Sequence, residues 1–277
     1  MGVWKCLRLD SRIIYKFSAE FIACMIFHFV GSISATPWTN GLALLVLVYF
    51  TAKISGSHLN PSVSTTFMLL GHINPMEMLV YWIAQVSGCL IGAMWISLLV
   101  PGIHIGESVD PLLIQYSGCF IPNSTLSNAQ IYGWEAVCTF CFITPIFAVV
   151  WYTQHKSGYG NTGPIIVGCS LIVNAFVAGP FTGAALNPAR VMASPIVYKC
   201  PTNLLKILYY ILGEMTGGIL APLLIIPWYG ISSSGWYFRP EDHDLPITSP
   251  VTHERTIPDV ASSSPRNKRH WKSLQML

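Results

Sequence analysis

Two tripeptides, Asn60-Pro61-Ser62 and Asn187-Pro188-Ala189, stand in the stretches "SGSHLNPSVS" and "GAALNPARVM". In each, a Gly-containing turn leads into Asn-Pro and then into a short apolar segment. Pro suits the first turn of a helix, because its missing N–H would have lacked a partner there anyway, and Asn is among the best N-caps. Each Asn-Pro therefore marks a helix start, where the helix dipole presents partial positive charge. Side-chain amides at such starts donate to the oxygen of a neutral molecule, and loop carbonyls from Gly56 to His58 and Gly183 to Ala185 offer acceptors. Arg190 adds a fixed cation three residues after Asn187. This is the chemistry of recognising neutral oxygens and repelling cations. No nucleophile–base pair, phosphate loop or metal cluster stands out, so neither enzyme activity, a cofactor, a metal nor a nucleic-acid partner is expected.

The elements that must position these residues are spans of a membrane. Of 277 residues, 52% are hydrophobic and 10% charged, where soluble domains carry roughly 25% charged residues. Windows of about 20 apolar residues place spans near 14–34, 39–55, 77–100, 131–153, 164–180 and 204–229. Two further apolar segments, near 60–70 and 187–197, are too short to cross. Each begins at an Asn-Pro and reads as a re-entrant half-helix, which membrane depth tolerates only inside protein or along a wet cavity. The expected fold is an all-α membrane protein of six spans and two half-helices. Lys53, Lys156, the N-terminal basic residues and the basic tail fall on one side, predicting cytoplasmic termini.

The order of features repeats. Glu20 in span one matches Glu135 in span four at an offset of 115, and Asn60 matches Asn187 at 127. With three spans per half, the second half inserts upside down, an inverted repeat. The expected organisation is a cytoplasmic N-terminus 1–13, a channel domain 14–230 and a cytoplasmic tail 231–277 too polar to build a core. Within the channel domain, repeats 14–100 and 131–230 are joined by an outside loop, 101–130. Glu20 and Glu135 are expected to accept bonds from backbone donors of the re-entrant loops. Glu214 is open between a functional carboxylate and a partner of a neighbouring helix, while Gly213, Gly217 and Gly218 permit close helix contact. Cys119 and Cys200 fall in outside loops where they can pair, and the Cys138–Cys141 spacing reads as core packing. Asn123-Ser124-Thr125 is a glycosylation pattern on the outside. The loop 153–163 and Ser249, Ser264 and Ser273 in the tail are candidate gating elements, the serines as phosphate acceptors.

These residues together resemble the aquaporin, or major intrinsic protein, family over about residues 14–230. The likeness rests on both Asn-Pro boxes, the Arg after the second, "SGSHLNP" and the two repeated glutamates. Ser62 departs from the family's usual Ala, and Glu214 from its usual Pro. The resemblance implies a homotetramer in the lipid bilayer with one pore per subunit, passing water or small neutral solutes passively. It also implies a filter at Asn40, Ala175, Ala184 and Arg190. Two alanines there predict an opening wide enough for glycerol or urea beside water, unless Trp38 or Phe181 swings in. Val191 argues the other way, because glycerol-preferring members usually carry Asp there. The competing readings are a water-only or gated aquaporin and a secondary transporter. The membrane is the plasma membrane or an intracellular vacuole membrane.

Overall fold

The computed structural model describes residues 11–34, 36–155 and 162–229. The tail with Ser249, Ser264 and Ser273, most of the N-terminus and most of the proposed gating loop lie outside the described residues. Within them, six long helices are interrupted by two short ones: α1 (Ile13–Ile33), α2 (Pro37–Ser55), α3 (Pro61–Leu69), α4 (Pro75–Leu99), α5 (Asn128–His155), α6 (Gly163–Thr182), α7 (Pro188–Val197) and α8 (Leu204–Tyr229). The short helices α3 and α7 start at the prolines of the two boxes. A single 3-10 turn, Pro111–Tyr116, sits in the connection from α4 to α5.

Five of the long helices, α1, α2, α4, α6 and α8, combine the length and apolar character needed to cross a bilayer. The sixth, α5, has 28 residues and carries Gln130, Glu135, Thr139 and Thr144 among its apolar residues. Its ends extend beyond the expected 131–153. The helices are arranged inside out relative to a soluble bundle. Leu42, Val46 and Phe50 of α2 and Val173 and Phe176 of α6 are exposed, whereas Glu20, His28, Gln85, Glu135 and Glu214 are buried. Polar groups inside and apolar groups outside is the arrangement hydrocarbon demands. Together with five helices able to cross a bilayer, this makes the chain a multi-pass integral membrane protein.

The packing is symmetric under exchange of the halves. α1 packs on α4 and α2 as α5 packs on α8 and α6. α3 lies against α8 as α7 lies against α4, and α2 meets α6. The axis of this exchange passes between Gly41 and Gly168: a Cβ on either would run into the backbone carbonyl of the other. Around it the 127-residue offset between boxes holds throughout α2 and α6. The 115-residue offset at the glutamates differs because α5 runs further past Glu135 than α1 past Glu20, and its connection to α6 is longer. In α8, Cβ atoms on Gly213 and Gly217 would collide with α5 backbone, while one on Gly218 would crowd Ser62 of α3. These positions allow the close approach expected of small residues in membrane helices.

Candidate functional site

The site is built from the two loops preceding the half-helices. Asn60 caps α3 with extended backbone, its Oδ1 accepting from Ser62 N at 2.8 Å; Asn187 caps α7 in the same way, accepting from Ala189 N at 3.1 Å. Their amide nitrogens cross over: Asn60 Nδ2 donates to the Leu186 carbonyl at 2.6 Å, and Asn187 Nδ2 to the Leu59 carbonyl at 2.8 Å. The half-helices thus meet head to head. Each amide carries a second hydrogen, and both asparagines line one cavity. Ser62 is fully buried with its hydroxyl 3.6 Å from Met215 Sδ, and α3 forms intact around it.

Before each Asn the backbone takes an unusual path. Gly56, Ser57 and Leu59 have φ of 87°, 52° and 51°; Gly183, Ala184 and Leu186, at the 127-residue offset, have 82°, 54° and 51°. Non-glycine residues in this region cost roughly 1–3 kcal/mol each and persist only where surroundings hold them. The holders are the repeated glutamates. Glu20 accepts from His58 N at 3.0 Å and Leu59 N at 2.7 Å, and from the side chains of Ser55 at 2.6 Å and Gln85 at 2.9 Å. Glu135 accepts from Ala185 N at 3.4 Å and Leu186 N at 2.9 Å. In a trans peptide the carbonyl points opposite to the following N–H. With those N–H groups turned onto the glutamates, the carbonyls of Ser57, His58, Ala184 and Ala185 point away from them, the direction needed to face a lumen.

Glu214 joins this frame: its Oε1 accepts from Asn187 N at 2.8 Å, while Oε2 has no hydrogen-bond partner among the described residues. It therefore partners a neighbouring element, one of the two readings its sequence position left open. Gly88 of α4 and Gly217 of α8 make corresponding contacts with α1 and α5, which sets Glu214 opposite Gln85 in the repeat. One half thus uses a carboxylate and an amide, Glu20 and Gln85, where the other uses two carboxylates. Gln85 also donates to Ser64 Oγ at 2.9 Å, and His58 Nδ1 lies 3.2 Å from the same hydroxyl.

The cavity holding both asparagines measures about 480 Å³ and runs from Lys53 and Gly56 past apolar walls of Leu44, Val48, Phe142 and Val167 to Arg190. A second cavity of about 450 Å³ begins at Arg190 and is lined by Asn40, Ala175 and Ala184. Leu171 and Arg190 border both. The four expected filter residues thus share one mouth. Arg190 is buried and donates through Nη1 to Asn40 Oδ1 at 2.7 Å. Asn40 Nδ2 in turn donates to the carbonyls of Gly31 at 3.3 Å and Thr36 at 3.0 Å. Asn40 is therefore engaged with the protein, holding Arg190 against the α1–α2 wall. A Cβ on Gly31 would collide with the Asn40 side chain. Trp38 packs edge-on against Phe176 at 5.8 Å, and Phe181 stacks on Trp134 at 4.2 Å. Neither lines the mouth. Val191 is buried with Ile131, Ala185 and Tyr210.

Several contributors were not singled out from sequence. Phe27 and Phe120 place rings 4.6 Å and 5.3 Å from the Arg190 guanidinium carbon, and Gln85 and Ser64 brace the first loop. Other expected positions lie elsewhere. Cys119 and Cys200 are joined in a disulfide. Cys138 is buried and Cys141 exposed, so the expected core packing holds for the first and not for the second. Asn123 sits exposed in a turn, its Oδ1 accepting from Thr125 N at 3.0 Å. His28 is buried with Nε2 3.1 Å from Ser194 Oγ.

Comparison with known proteins agrees with this geometry. The Major intrinsic protein family matches residues 9–225. A probable aquaporin TIP2-1 of Oryza sativa subsp. japonica is 31% identical over 250 residues, covering 83% of this chain and 92% of the relative. Nodulin-26 of Glycine max is 32% identical over 158 residues, 57% of this chain and 53% of the relative. Among solved structures, the aquaglyceroporin from Plasmodium falciparum superposes with a TM-score of 0.63 at 18% identity, covering 78% of this chain and 98% of that one, and so shares the fold. With the family matched from near the first helix to the last, and with the two capped half-helices meeting inside a bundle of six spans, this chain belongs to the major intrinsic protein family and is a membrane channel rather than an enzyme.

Proposed function

We propose that the channel conducts water together with small neutral solutes such as glycerol or urea, and excludes protons and other ions. The observation that carries this reading is the convergence of two capped helix N-termini, with the amides of Asn60 and Asn187, on a cavity that ends at Arg190. Two positive dipole ends and a buried guanidinium make that path costly for a cation, while amide donors and loop carbonyls replace the hydrogen bonds of a neutral molecule. Asn60, Pro61, Ser62, Asn187, Pro188 and Ala189 form the central site in this proposal, and Glu20 and Glu135 support its loops.

Asn40, Ala175, Ala184 and Arg190 act as the filter. Its width follows from two alanines and from an Asn40 drawn back against α1 and α2, which favours solutes larger than water. Replacing Ala175 with His and Asn40 with Phe fills that space. The double variant is expected to lose glycerol flux and keep water flux in reconstituted vesicles; equal loss of both would remove these positions from the filter.

We further propose that both termini are cytoplasmic, which places the Arg190 mouth and Asn123 outside, where Asn123 can be glycosylated. The channel domain spans 14–230, the tail 231–277 is cytoplasmic, and its serines 249, 264 and 273, with loop 153–163, are the places where gating is to be sought. Family membership supports a homotetramer, checked by light scattering of the detergent-solubilised protein. The protein sits in a plasma membrane or an intracellular vacuole membrane.

A further inference from the structure

We propose that the Cys119–Cys200 disulfide and Phe120 determine specificity at the Arg190 mouth: the bridge seats Phe120 against the guanidinium as a further wall of the filter. The inference rests on the channel reading above and adds to its filter two features outside the four filter positions.

Phe120 lines the cavity that Asn40, Ala175 and Ala184 line, and its ring faces the Arg190 guanidinium at 5.3 Å. Phe27, from α1, offers a second ring at 4.6 Å. Aromatic faces attract a guanidinium through the ring quadrupole, and more strongly where water is excluded. Arg190 is thus held by two rings and the Asn40 oxygen, and a shift of Phe120 alters both the free width of the mouth and the hold on the cation.

Phe120 lies in no helix or strand; the chain around it is pinned from several sides. The Ser117 carbonyl accepts from Ser194 Oγ at 2.8 Å and from the Tyr198 hydroxyl, both on or beside α7. Gly118 then turns the chain with φ of 68°, in a space where a side chain would strike Ser32 and Ser194. Asn123 N donates to the Phe181 carbonyl at 2.8 Å, fixing the far end to α6. Between these anchors the hold next to Phe120 is covalent, from Cys119 to Cys200 across 81 residues of sequence. Cys200 follows α7, the half-helix that carries Arg190. The bridge therefore ties the wall residue to the structural unit of the cation it faces.

The test compares four full-length proteins in vesicles: the parent, Cys119→Ser with Cys200→Ser, Phe120→Ala, and all three changes together. The readout is the ratio of glycerol to water permeability at matched protein content, which a merely structural bridge would not move. The serine pair and Phe120→Ala are each expected to raise the ratio by about threefold, a barrier change within reach of one aromatic contact. The triple variant is expected to match Phe120→Ala alone, because the bridge acts through that ring. An unchanged ratio in the serine pair, or a triple variant whose effect adds to that of Phe120→Ala, would overturn the inference. If the serine pair does not fold, dithiothreitol applied to the parent and to Phe120→Ala gives the same comparison. A parent passing neither solute would instead sink the channel reading on which the inference rests.

Discussion

At the scale of single residues, the centre of the pore is a problem of satisfying the backbone N–H groups that its two loops turn into the protein interior. Three positions per loop are not free to relax, since Gly56, Ser57 and Leu59 and their counterparts Gly183, Ala184 and Leu186 hold left-handed backbone, and the glutamates take the N–H groups that this path exposes. Glu214 extends the same service to Asn187 N. Replacing it with Gln keeps an acceptor and gives α8 the residue type α4 has at Gln85; this variant is expected to fold and conduct. Glu214→Leu removes the acceptor and strands a buried N–H, at about 1–3 kcal/mol. Thermal unfolding in detergent is the check, and a melting temperature equal to that of the parent would show that Asn187 N has another partner. The sequence indicated the carboxylate supports from the repeat of Glu20 and Glu135, but not the pairing of Asn40 with Arg190, because 150 residues separate them and only the folded bundle brings the two side chains together.

At the scale of elements, the half-helices were the most legible feature, since their signals are local: a cap, a proline and an apolar run too short to cross. Their structural bounds, Pro61–Leu69 and Pro188–Val197, fall within the expected segments. The long helices begin and end within three residues of their apolar windows; α5 departs most, its polar and aromatic ends extending the helix where hydropathy had already fallen. Helix contacts were less legible. Gly213, Gly217 and Gly218 announced a close approach by composition, yet the reciprocal pair Gly41 and Gly168 marks the axis and carried no such signal, being single small residues in separate helices. Gly41→Leu is expected to be among the most damaging single changes. Its side chain would have to displace both Ile172 and the backbone of α6, and overpacking typically costs about 1–3 kcal/mol or more. Its effect should appear as a reduced yield of monodisperse protein on size-exclusion chromatography; a normal yield would mean that α2 and α6 separate more easily than their packing indicates.

At the scale of the whole molecule, the inverted repeat explains why one chain places two positive helix ends at a common centre, and why the two mouths nonetheless differ. The repeat sets Arg190 opposite Val63 and Asn40 opposite Val167, so the polar pair at one mouth has valines as its counterparts in the other half, where Val48 and Phe142 also line the cavity. The central claim is that this path carries water and small neutral solutes passively. Stopped-flow light scattering on vesicles holding the full chain, under a water gradient and then a glycerol gradient, tests it most directly. The account predicts flux of both that is linear in the gradient, weakly dependent on temperature and unaffected by an ion gradient. Saturable flux driven by an ion, or no flux of either, would contradict it.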